Sequence, residues 1–431
     1  MMEFSRIDFS KSISLTSKQQ AFELKTKWDS ERLGDVIDVK IGGTPSRSNS
    51  NYFTGDNLWV SISEMKGQVI TDTKEKITEQ GIKDSNVKLI PKGTTLLSFK
   101  LSIGKTAVAG KDLYTNEAIA GLIPKDKKQV LSPYIFHLFN AKLIDLENVG
   151  LNTFGKSLNS GYLKSEVKIP LPPPEVQQQI VVSCSLIDKE GEKAEKEIEK
   201  GYDIIEKLIT DFSNQGYPTK KVSNLSEVNP SKSEVREVDE NTVVSFIEMA
   251  SVSEEGFISH KEDRLLKDVK SGSYRYFKEK DIIIAKITPC MENGKCAIAT
   301  GLTNQIGFGS SEFHVFRVDE ALTTNKFLFA FLNREVIRKE AEQNMTGSSG
   351  HRRVPDTFYK NLQIPVPTDK KNQTELISNI EKAEKKIKAS QDIIDGVTKR
   401  KETVIKSYLM GEVTEPELAI AAEPKVDYKK K

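Results

Sequence analysis

Apolar residues recur at alternating intervals of four and three over two long stretches of the chain. From Ile180 to Phe212 the spacing picks out Ile180, Cys184, Ile187, Gly191, Ala194, Ile198, Gly201, Ile205, Leu208 and Phe212. From Leu376 to Tyr408 it picks out Leu376, Ile380, Ala383, Ile387, Ser390, Ile394, Val397, Lys401, Val404 and Tyr408. Every position of the second run lies 196 residues after its counterpart in the first, without a gap. Charged residues fill the intervals, as in Glu195-Lys196-Glu197 and Glu384-Lys385-Lys386. A 4-3 apolar repeat between charged flanks predicts a coiled-coil seam. Two such helices in one register predict that they pair with each other. Gly191, Gly201, Ser390 and Lys401 interrupt the seam. Glycine costs about 1 kcal/mol in a helix interior, so the pair is expected to lean on its neighbours for stability.

Outside the two helices the pattern shortens. Leu33-Gly34-Asp35-Val36-Ile37-Asp38-Val39 reads as a strand or short helix entering the loop Gly42-Gly43-Thr44-Pro45-Ser46. Leu58-Trp59-Val60-Ser61-Ile62 and Thr95-Leu96-Leu97-Ser98-Phe99 are strand-like in β-branched and aromatic content. A tight turn at Ile103-Gly104-Lys105-Thr106 leads to an apolar return, Ala107-Val108-Ala109. Ser132 to Leu146 has helical spacing, with Ser132 as N-cap and Pro133 at the first position. The segment closes at Ile169-Pro170-Leu171-Pro172-Pro173-Pro174, where three consecutive prolines end any preceding element.

A second copy of this plan follows Phe212. Leu225-Ser226-Glu227-Val228 answers Leu33-Gly34-Asp35-Val36, and Val244 to Met249 answers Val60 to Met65. Ile283-Ile284-Ala285-Lys286 answers Leu97-Ser98-Phe99-Lys100, and Gly294-Lys295-Cys296-Ala297 answers Gly104-Lys105-Thr106-Ala107. Glu312 answers Glu117, and Ile364-Pro365-Val366-Pro367 answers Ile169-Pro170-Leu171-Pro172. The fixed order and near-constant offset identify a tandem duplication of globular domain plus long helix. The expected divisions are an N-terminal arm (1–27), domain one (28–174), spacer helix one (175–215), domain two (216–368), spacer helix two (369–411) and a disordered tail (412–431).

The short link between the halves constrains their arrangement. A helix of about 40 residues spans roughly 60 Å, whereas the seven or so residues from Ser213 to Thr219 reach at most roughly 25 Å. The second domain is therefore expected at the far end of the first helix, with the second helix running back beside the first. The predicted class is α+β: two similar α/β domains separated by two long antiparallel helices, related by an approximate two-fold axis. Such a shape suits duplex DNA read in two half-sites. A helical hairpin that merely dimerises or spaces two domains is the alternative.

Composition adds limits. A chain of 431 residues is too long for one ordinary core. Its 37% apolar and 29% charged content fits a soluble protein with much exposed helix, and a net charge of +2 neither supports nor excludes nucleic acid. Arginine is uneven, however: Arg236, Arg264, Arg275, Arg317, Arg334, Arg338, Arg352 and Arg353 all fall in domain two. Cys184, Cys290 and Cys296 form no CxxC pair, and His137, His260, His314 and His351 complete no metal-ligand spacing. A cytoplasmic setting is expected: the first residues lack the apolar core of a signal peptide, and no stretch approaches the roughly 20 apolar residues of a membrane span.

Motifs for catalysis are missing. Gly104-Lys105-Thr106 resembles the end of a P-loop, but position 99 is Phe where glycine is required; Gly104 and Gly294 read instead as hairpin turns presenting Lys105 and Lys295. Glu64-Met65-Lys66 resembles a nuclease tail, but Glu248-Met249-Ala250 loses the lysine, so a structural acid is expected. The remaining candidates suit DNA contact. Thr44, Ser46, Arg47, Ser48, Asn49 and Asn51 offer short donors for phosphates and base edges. Lys100 and Lys286 end strand-like runs. Lys156 and Asn159 lie in one polar glycine/serine loop, and Ser348, His351, Arg352 and Arg353 in its counterpart. For any one of these residues a solvated surface loop is the competing reading; Arg352 and Arg353 are the strongest candidates for guanine or phosphate.

From about Trp28 to Leu409 the layout resembles the specificity subunit of type I restriction-modification systems. The resemblance is carried by Leu33-Gly34-Asp35-Val36 with Gly42-Gly43-Thr44-Pro45-Ser46, and by Ile169-Pro170-Leu171-Pro172-Pro173-Pro174-Glu175-Val176-Gln177-Gln178-Gln179-Ile180. Val176 departs from the family's Glu-Gln pair, and the second copy keeps only Gln373. The resemblance implies that each globular domain is a target-recognition domain reading half of a bipartite double-stranded DNA target. It implies that the helices set the unread gap and dock two methyltransferase subunits, and that motor/endonuclease subunits join the complex. S-adenosylmethionine, ATP and magnesium are expected on those partners; this chain is expected to be non-catalytic, with no cofactor of its own and no membrane. An assembly protein without DNA function, and a relative whose partner fuses methyltransferase and nuclease, remain as alternatives.

Overall fold

A computed structural model describes residues 24–144, 146, 160–348 and 350–412. The chain divides into two compact units, the first Met1–Ala194 with Asp392–Lys431 and the second Glu195–Gln391. Each unit therefore owns one globular domain and half of each long helix. The polar arm before residue 24 and the tail after 412 lie outside the described residues.

The chain first forms β1 (Ser30–Arg32), α1 (Leu33–Val36), β2 (Ile37–Ile41), β3 (Asn57–Val60), β4 (Val69–Ile70), β5 (Glu75–Ile77) and α2 (Glu79–Lys83). Then come β6 (Thr95–Ser98), β7 (Thr106–Ala109), β8 (Tyr114–Thr115), β9 (Ile119–Pro124), α3 (Ser132–Asn140), α4 (Ser160–Ser165), β10 (Lys168–Pro170) and α5 (Pro174–Ser213). Unit one carries a five-stranded sheet, β2-β9-β6-β7-β4, a three-stranded sheet, β5-β3-β8, and the pair β1-β10. All four residues of β6 are buried, polar Thr95 and Ser98 included, as are five of the six in β9, so neither central strand alternates between an inward and an outward face. The segment around Leu33 resolves into both readings: one helical turn, then a strand with Ile37 and Val39 inward and Asp38 outward. Ser132 is not an N-cap. Leu131 holds that position, the Ser132 hydroxyl donates to the Gly93 carbonyl at 2.7 Å, and the helix stops at Asn140 rather than Leu146.

Unit two repeats the plan. Its strands are β11 (Thr219–Lys221), β12 (Ser226–Val228), β13 (Val243–Ile247), β14 (Glu262–Leu265), β15 (Arg275–Lys278), β16 (Ile282–Ala285), β17 (Cys296–Ile298), β18 (Ile306–Gly309), β19 (Phe313–Val318) and β20 (Gln363–Pro365). Its helices are α6 (Leu266–Lys270), α7 (Asn325–Leu332), α8 (Glu335–Gln343), α9 (Asp356–Asn361) and α10 (Lys370–Met410). The sheets β12-β19-β16-β17 and β14-β13-β18-β15 match β2-β9-β6-β7 and β5-β3-β8, and β11-β20 matches β1-β10.

The ladders correct the residue pairing between copies. Ile37 and Val39 pair with Pro124 and Leu122, as Ser226 and Val228 pair with Val318 and Phe316. The turn Leu33–Val36 therefore corresponds to Val222–Leu225, not to Leu225–Val228. Leu97 pairs with Thr106 and Ala120 as Ile284 pairs with Cys296 and His314. This places Lys286 opposite Phe99, one residue before Lys100. The 3-10 turns after β3 and β13 match Ser61 with Glu248, so Glu64 answers Ser251 rather than Glu248.

The long helices are antiparallel within each unit. In unit one, Ser183 meets Tyr408 (3.4 Å between hydroxyls), Asp188 meets Lys401 and Glu190 meets Arg400 (both at 2.7–2.8 Å). In unit two, Gly201 meets Ile387, and Ile209 and Phe212 share a core with Leu376 and Ile380. Ile180, Ile187, Leu376 and Ile380 are buried as the seam requires, while Ile198, Ile205, Leu208, Ile387, Ile394, Val397 and Val404 are half-buried. Toward the helix ends burial moves from Leu208 to Ile209, from Val404 to Ile405 and from Tyr408 to Leu409. There the helices join the globular cores: Ile180, Cys184, Ile405 and Leu409 pack with Leu33, Tyr134 and Leu163. A straight α-helix drifts away from a strict heptad, and the globular domain supplies the missing partner.

The seam's interruptions have structural uses. A Cβ on Gly201 would lie 2.5 Å from Ile387 Cγ1, and one on Gly191 3.1 Å from Val397 Cγ2, so these glycines admit branched side chains. Lys401 is wholly buried, its ammonium donating to Asp188 (2.8 and 3.0 Å) and Asn140 (2.6 Å). Two buried glutamines anchor the helix starts. Gln177 accepts from the Leu131 N–H at 2.9 Å and donates to Gln129 and Pro172 carbonyls at 2.8 Å. Gln373 accepts from the Thr323 hydroxyl at 2.9 Å and donates to the Leu322 carbonyl at 3.1 Å.

Candidate functional site

In each unit the same corner of the main sheet gathers polar side chains. It is the end where β6 runs out beside the start of β9, and where β16 runs out beside the start of β19. The Phe99 N–H donates to the Ala118 carbonyl at 3.0 Å, and in the second copy the Lys286 N–H donates to the Glu312 carbonyl at 2.9 Å.

In unit one this corner is reached by the loop after β2. Gly42 and Gly43 let the backbone run against β8: a Cβ on Gly42 would lie 2.2 Å from the Thr115 carbonyl oxygen. Trp59 fixes the loop, its indole N–H donating to the Gly43 carbonyl at 3.0 Å. The Thr44 hydroxyl then donates to Glu117. That bond holds the Glu117 carboxyl below its usual pKa, helped by the charges of Lys100 and Arg47. Arg47 lies over Phe53 and Trp59, 4.2 and 5.0 Å from the ring centroids, and forms a two-pronged pair with Glu75. Half-exposed as it is, that pair contributes little to stability; it aims the guanidinium. Ser46 meets Ser48 at 2.7 Å, and Asn49 accepts from the Asn51 N–H at 3.2 Å. Lys105 is exposed on the turn beyond.

The corner in unit two is more basic. Arg353 grips Glu312 through Nε (2.9 Å) and Nη2 (3.0 Å), depressing the pKa of that carboxyl, with Lys286 and Arg275 adding to the effect. Burial lowers the Lys286 pKa, and the nearby positive charges of Arg275 and Arg353 lower it further, against Glu312. Three cations thus gather around Glu312, with Asp356 as a second carboxylate near Lys286, leaving an electrostatic surplus suited to an anion. The segment bearing Arg352 and Arg353 is held by strand-like bridges, Arg353 with Thr346 and with Ile287. Arg352 donates to the Glu342 carbonyl at 2.6 Å; Ser348, just after Gly347, and His351, just after Gly350, are exposed.

The structure thus draws Thr44, Arg47 and Lys100 together around Glu117, and Lys286 and Arg353 around Glu312. It separates Lys295, whose ammonium donates inward to the Met249 (3.3 Å) and Val252 (2.9 Å) carbonyls, so this turn does not present its lysine as Lys105 is presented. Lys156 and Asn159 lie outside the described residues. Arg275 was not singled out from the sequence; it belongs to the site because β15 pairs with β18 and packs near β19, which no local pattern announces. Glu117 and Glu312 prove to be the carboxylates around which the cations assemble, but they are not the counterparts that the repeat offset suggests: the ladders set Ala120 against His314, so Glu312 answers Ala118.

Four other ionisable groups, Glu64, His314, Cys184 and Cys296, are structural. Glu64 caps the turn after β3, accepting from the Ser61 and Lys74 N–H groups at 2.9 and 2.8 Å. His314 is buried between Val354 and Asn229, and desolvation pushes its pKa down to about 4. Burial also pushes the Cys184 and Cys296 thiols up to about 12. Among the described residues no group of three His, Cys, Asp or Glu is placed to hold a metal ion. No described helix is long and apolar enough to cross a membrane.

Residues 25–200 and 214–399 each match the type I restriction modification DNA specificity domain. The chain belongs to that family. A type I restriction enzyme specificity subunit of Methanocaldococcus jannaschii, MjaIX, is 26% identical over 377 residues, which are 78% of this chain and 83% of that protein. The EcoAI specificity subunit of Escherichia coli is 40% identical over a shorter stretch of 153 residues, 35% of this chain and 25% of that protein. A solved structure described as bearing on complex assembly and conformational transition of the type I restriction-modification system superposes with a TM-score of 0.54. It is 14% identical and covers 91% of this chain and all of its own. The duplication seen in the sequence is thus two copies of the family's specificity domain.

Proposed function

We propose that this family member is the DNA-reading and scaffolding subunit of a type I restriction-modification complex, each globular domain reading one half of a bipartite duplex. The twin basic corners carry this reading. Two units of one topology gather lysine and arginine at the same sheet end, yet with different side chains, as two readers of different half-sites require. The paired helices then set the unread gap and dock two methyltransferase subunits. In this reading the chain itself is non-catalytic and works in the cytoplasm. S-adenosylmethionine, ATP and magnesium belong to the methyltransferase and the motor/endonuclease partners.

The test is to map methylated adenines in cells carrying the complex. Exchanging residues 28–174 for the corresponding domain of another family member is expected to change one half of the methylated sequence and keep the other. A heptad inserted after Ala194 is expected to lengthen the gap and keep both halves. Alteration of both halves by the exchange, or an unchanged gap after the insertion, would overturn the assignment.

A further inference from the structure

We propose that Leu101 is a base-reading side chain of the first domain, packing against the 5-methyl group of a thymine in the major groove. The proposal rests on the DNA-reading assignment above. Leu101 stands in the loop joining β6 to β7 and is 78% exposed; no other described large hydrophobic is more exposed. Its φ is +62°, the left-handed region that side chains bearing a Cβ seldom adopt. Leucine, with no polar group to bond locally, is a poor occupant of it.

The conformation is held on purpose by its neighbours. The Ser98 hydroxyl donates to the Ser102 carbonyl, while the Gly104 N–H donates to the Ser98 carbonyl and the Lys105 N–H to Ser98 Oγ, both at 2.9 Å. The loop is thereby closed across its base, and the leucine is fixed pointing outward. A single exposed leucine is ordinary; one that also holds a strained φ, next to the cationic corner, points to a contact with a ligand.

The surroundings say which ligand. Lys100 precedes Leu101 and belongs to the cationic cluster around Glu117; Lys105 follows it, exposed. An apolar tip between two cations matches a groove floor between two phosphate rows. The strands β6 and β7 are interior to their sheet, so what projects is the loop between them; in the major groove the apolar group that such a tip meets on the base edges is the thymine methyl. By the ladder register the corresponding residue of the second domain is Thr288, whose hydroxyl bonds Glu292 at 2.5 Å. Thr288 is half-buried and its N–H donates to the Arg352 carbonyl at 3.1 Å, so the second domain presents no matching apolar tip.

The test uses the full chain to select duplexes from a random-sequence pool. Leu101→Gly suits the φ of +62° and is expected to fold at least as well as the parent, with Tm unchanged or raised. The parent is expected to enrich a thymine at one position of one half-site, and Leu101→Gly to lose that preference while keeping the other half-site. Replacing that thymine with deoxyuridine removes only the methyl and is expected to weaken the parent about fourfold, leaving Leu101→Gly unaffected. Equal weakening of both proteins, unchanged selection by Leu101→Gly, or unstacking of a 2-aminopurine at that step (a wedge rather than a methyl contact) would overturn the proposal. A parent that enriches no sequence at all overturns the DNA-reading assignment, and this proposal with it.

Discussion

Removing the carboxylate beneath Lys401 is expected to destabilise unit one far more than removing the lysine itself. The ammonium is wholly inaccessible and has Asp188 at 2.8 and 3.0 Å and Asn140 at 2.6 Å. Asp188→Ala leaves a buried cation with one neutral acceptor. Breaking a buried pair from one side costs about 3–5 kcal/mol. Because the Asp188 side chain is 34% exposed, water replaces part of what is lost, and about 3 kcal/mol is the expected cost. Lys401→Met instead leaves a carboxylate that water can reach and sets a flexible apolar chain near Phe136, whose ring centroid is 5.5 Å from Nζ. About 1 kcal/mol is expected there. The double variant should cost about 1 kcal/mol rather than the additive 4 or so, a coupling of about 3 kcal/mol. The assay is urea denaturation followed by tryptophan fluorescence, since both tryptophans of the chain, Trp28 and Trp59, belong to unit one. Additivity within about 0.5 kcal/mol would refute the idea that Lys401 and Asp188 act as a pair.

Three further outcomes follow from the same structure. Gly201→Ala gains about 1 kcal/mol of helix propensity but crowds Ile387, so a net loss of about 1 kcal/mol is expected; with Ile387→Ala already present the same change should stabilise, and circular dichroism during unfolding would show the sign. His137, 4% exposed, has its pKa pushed by burial down to about 3. The unfolded chain then binds the extra proton below about 6.5, so stability is lost as pH falls, by about 2 kcal/mol between pH 7 and 5 from this group. His137→Gln should flatten unit one's dependence of stability on pH by about one proton, and an unchanged slope would refute the assignment. Finally, Arg275→Ala with Lys286→Ala should reduce the slope of log K against log salt for duplex binding by about 1.8, at about 0.9 per phosphate contact; an unaltered slope removes both from the interface.

The corner of the site was only half legible in the sequence, for a reason visible in individual residues. Thr44 and Arg47 stood out because a glycine-rich loop with short donors has a recognisable composition. Lys100 and Lys286 stood out as strand ends. Their carboxylates did not, since Glu117 and Glu312 gain meaning only when β9 and β19 are laid beside β6 and β16. Lys295 misled for the converse reason: nothing local says that a lysine on a turn folds inward to the Met249 and Val252 carbonyls.

The sequence by itself determined the duplication, the two long helices and their pairing, because helical periodicity and turn residues are local properties that recur at a measurable offset. Only the tertiary structure decided the register between the copies. Alternation would expose a slip of one or three residues, but β6 and β16 are buried along their whole length and the turn at Leu33 is too short to carry a period, so Lys100 was matched with Lys286 and Leu33 with Leu225. The hydrogen-bond ladder admits one pairing. The same holds for the helix seam. Gly201 and Lys401 break an apolar repeat when the helix is considered alone; in the fold the glycine makes room for Ile387 and the lysine joins α10 to Asp188 and Asn140. A residue's own sequence neighbourhood records its propensity, but what a buried glycine or lysine is for depends on the side chain that comes to face it.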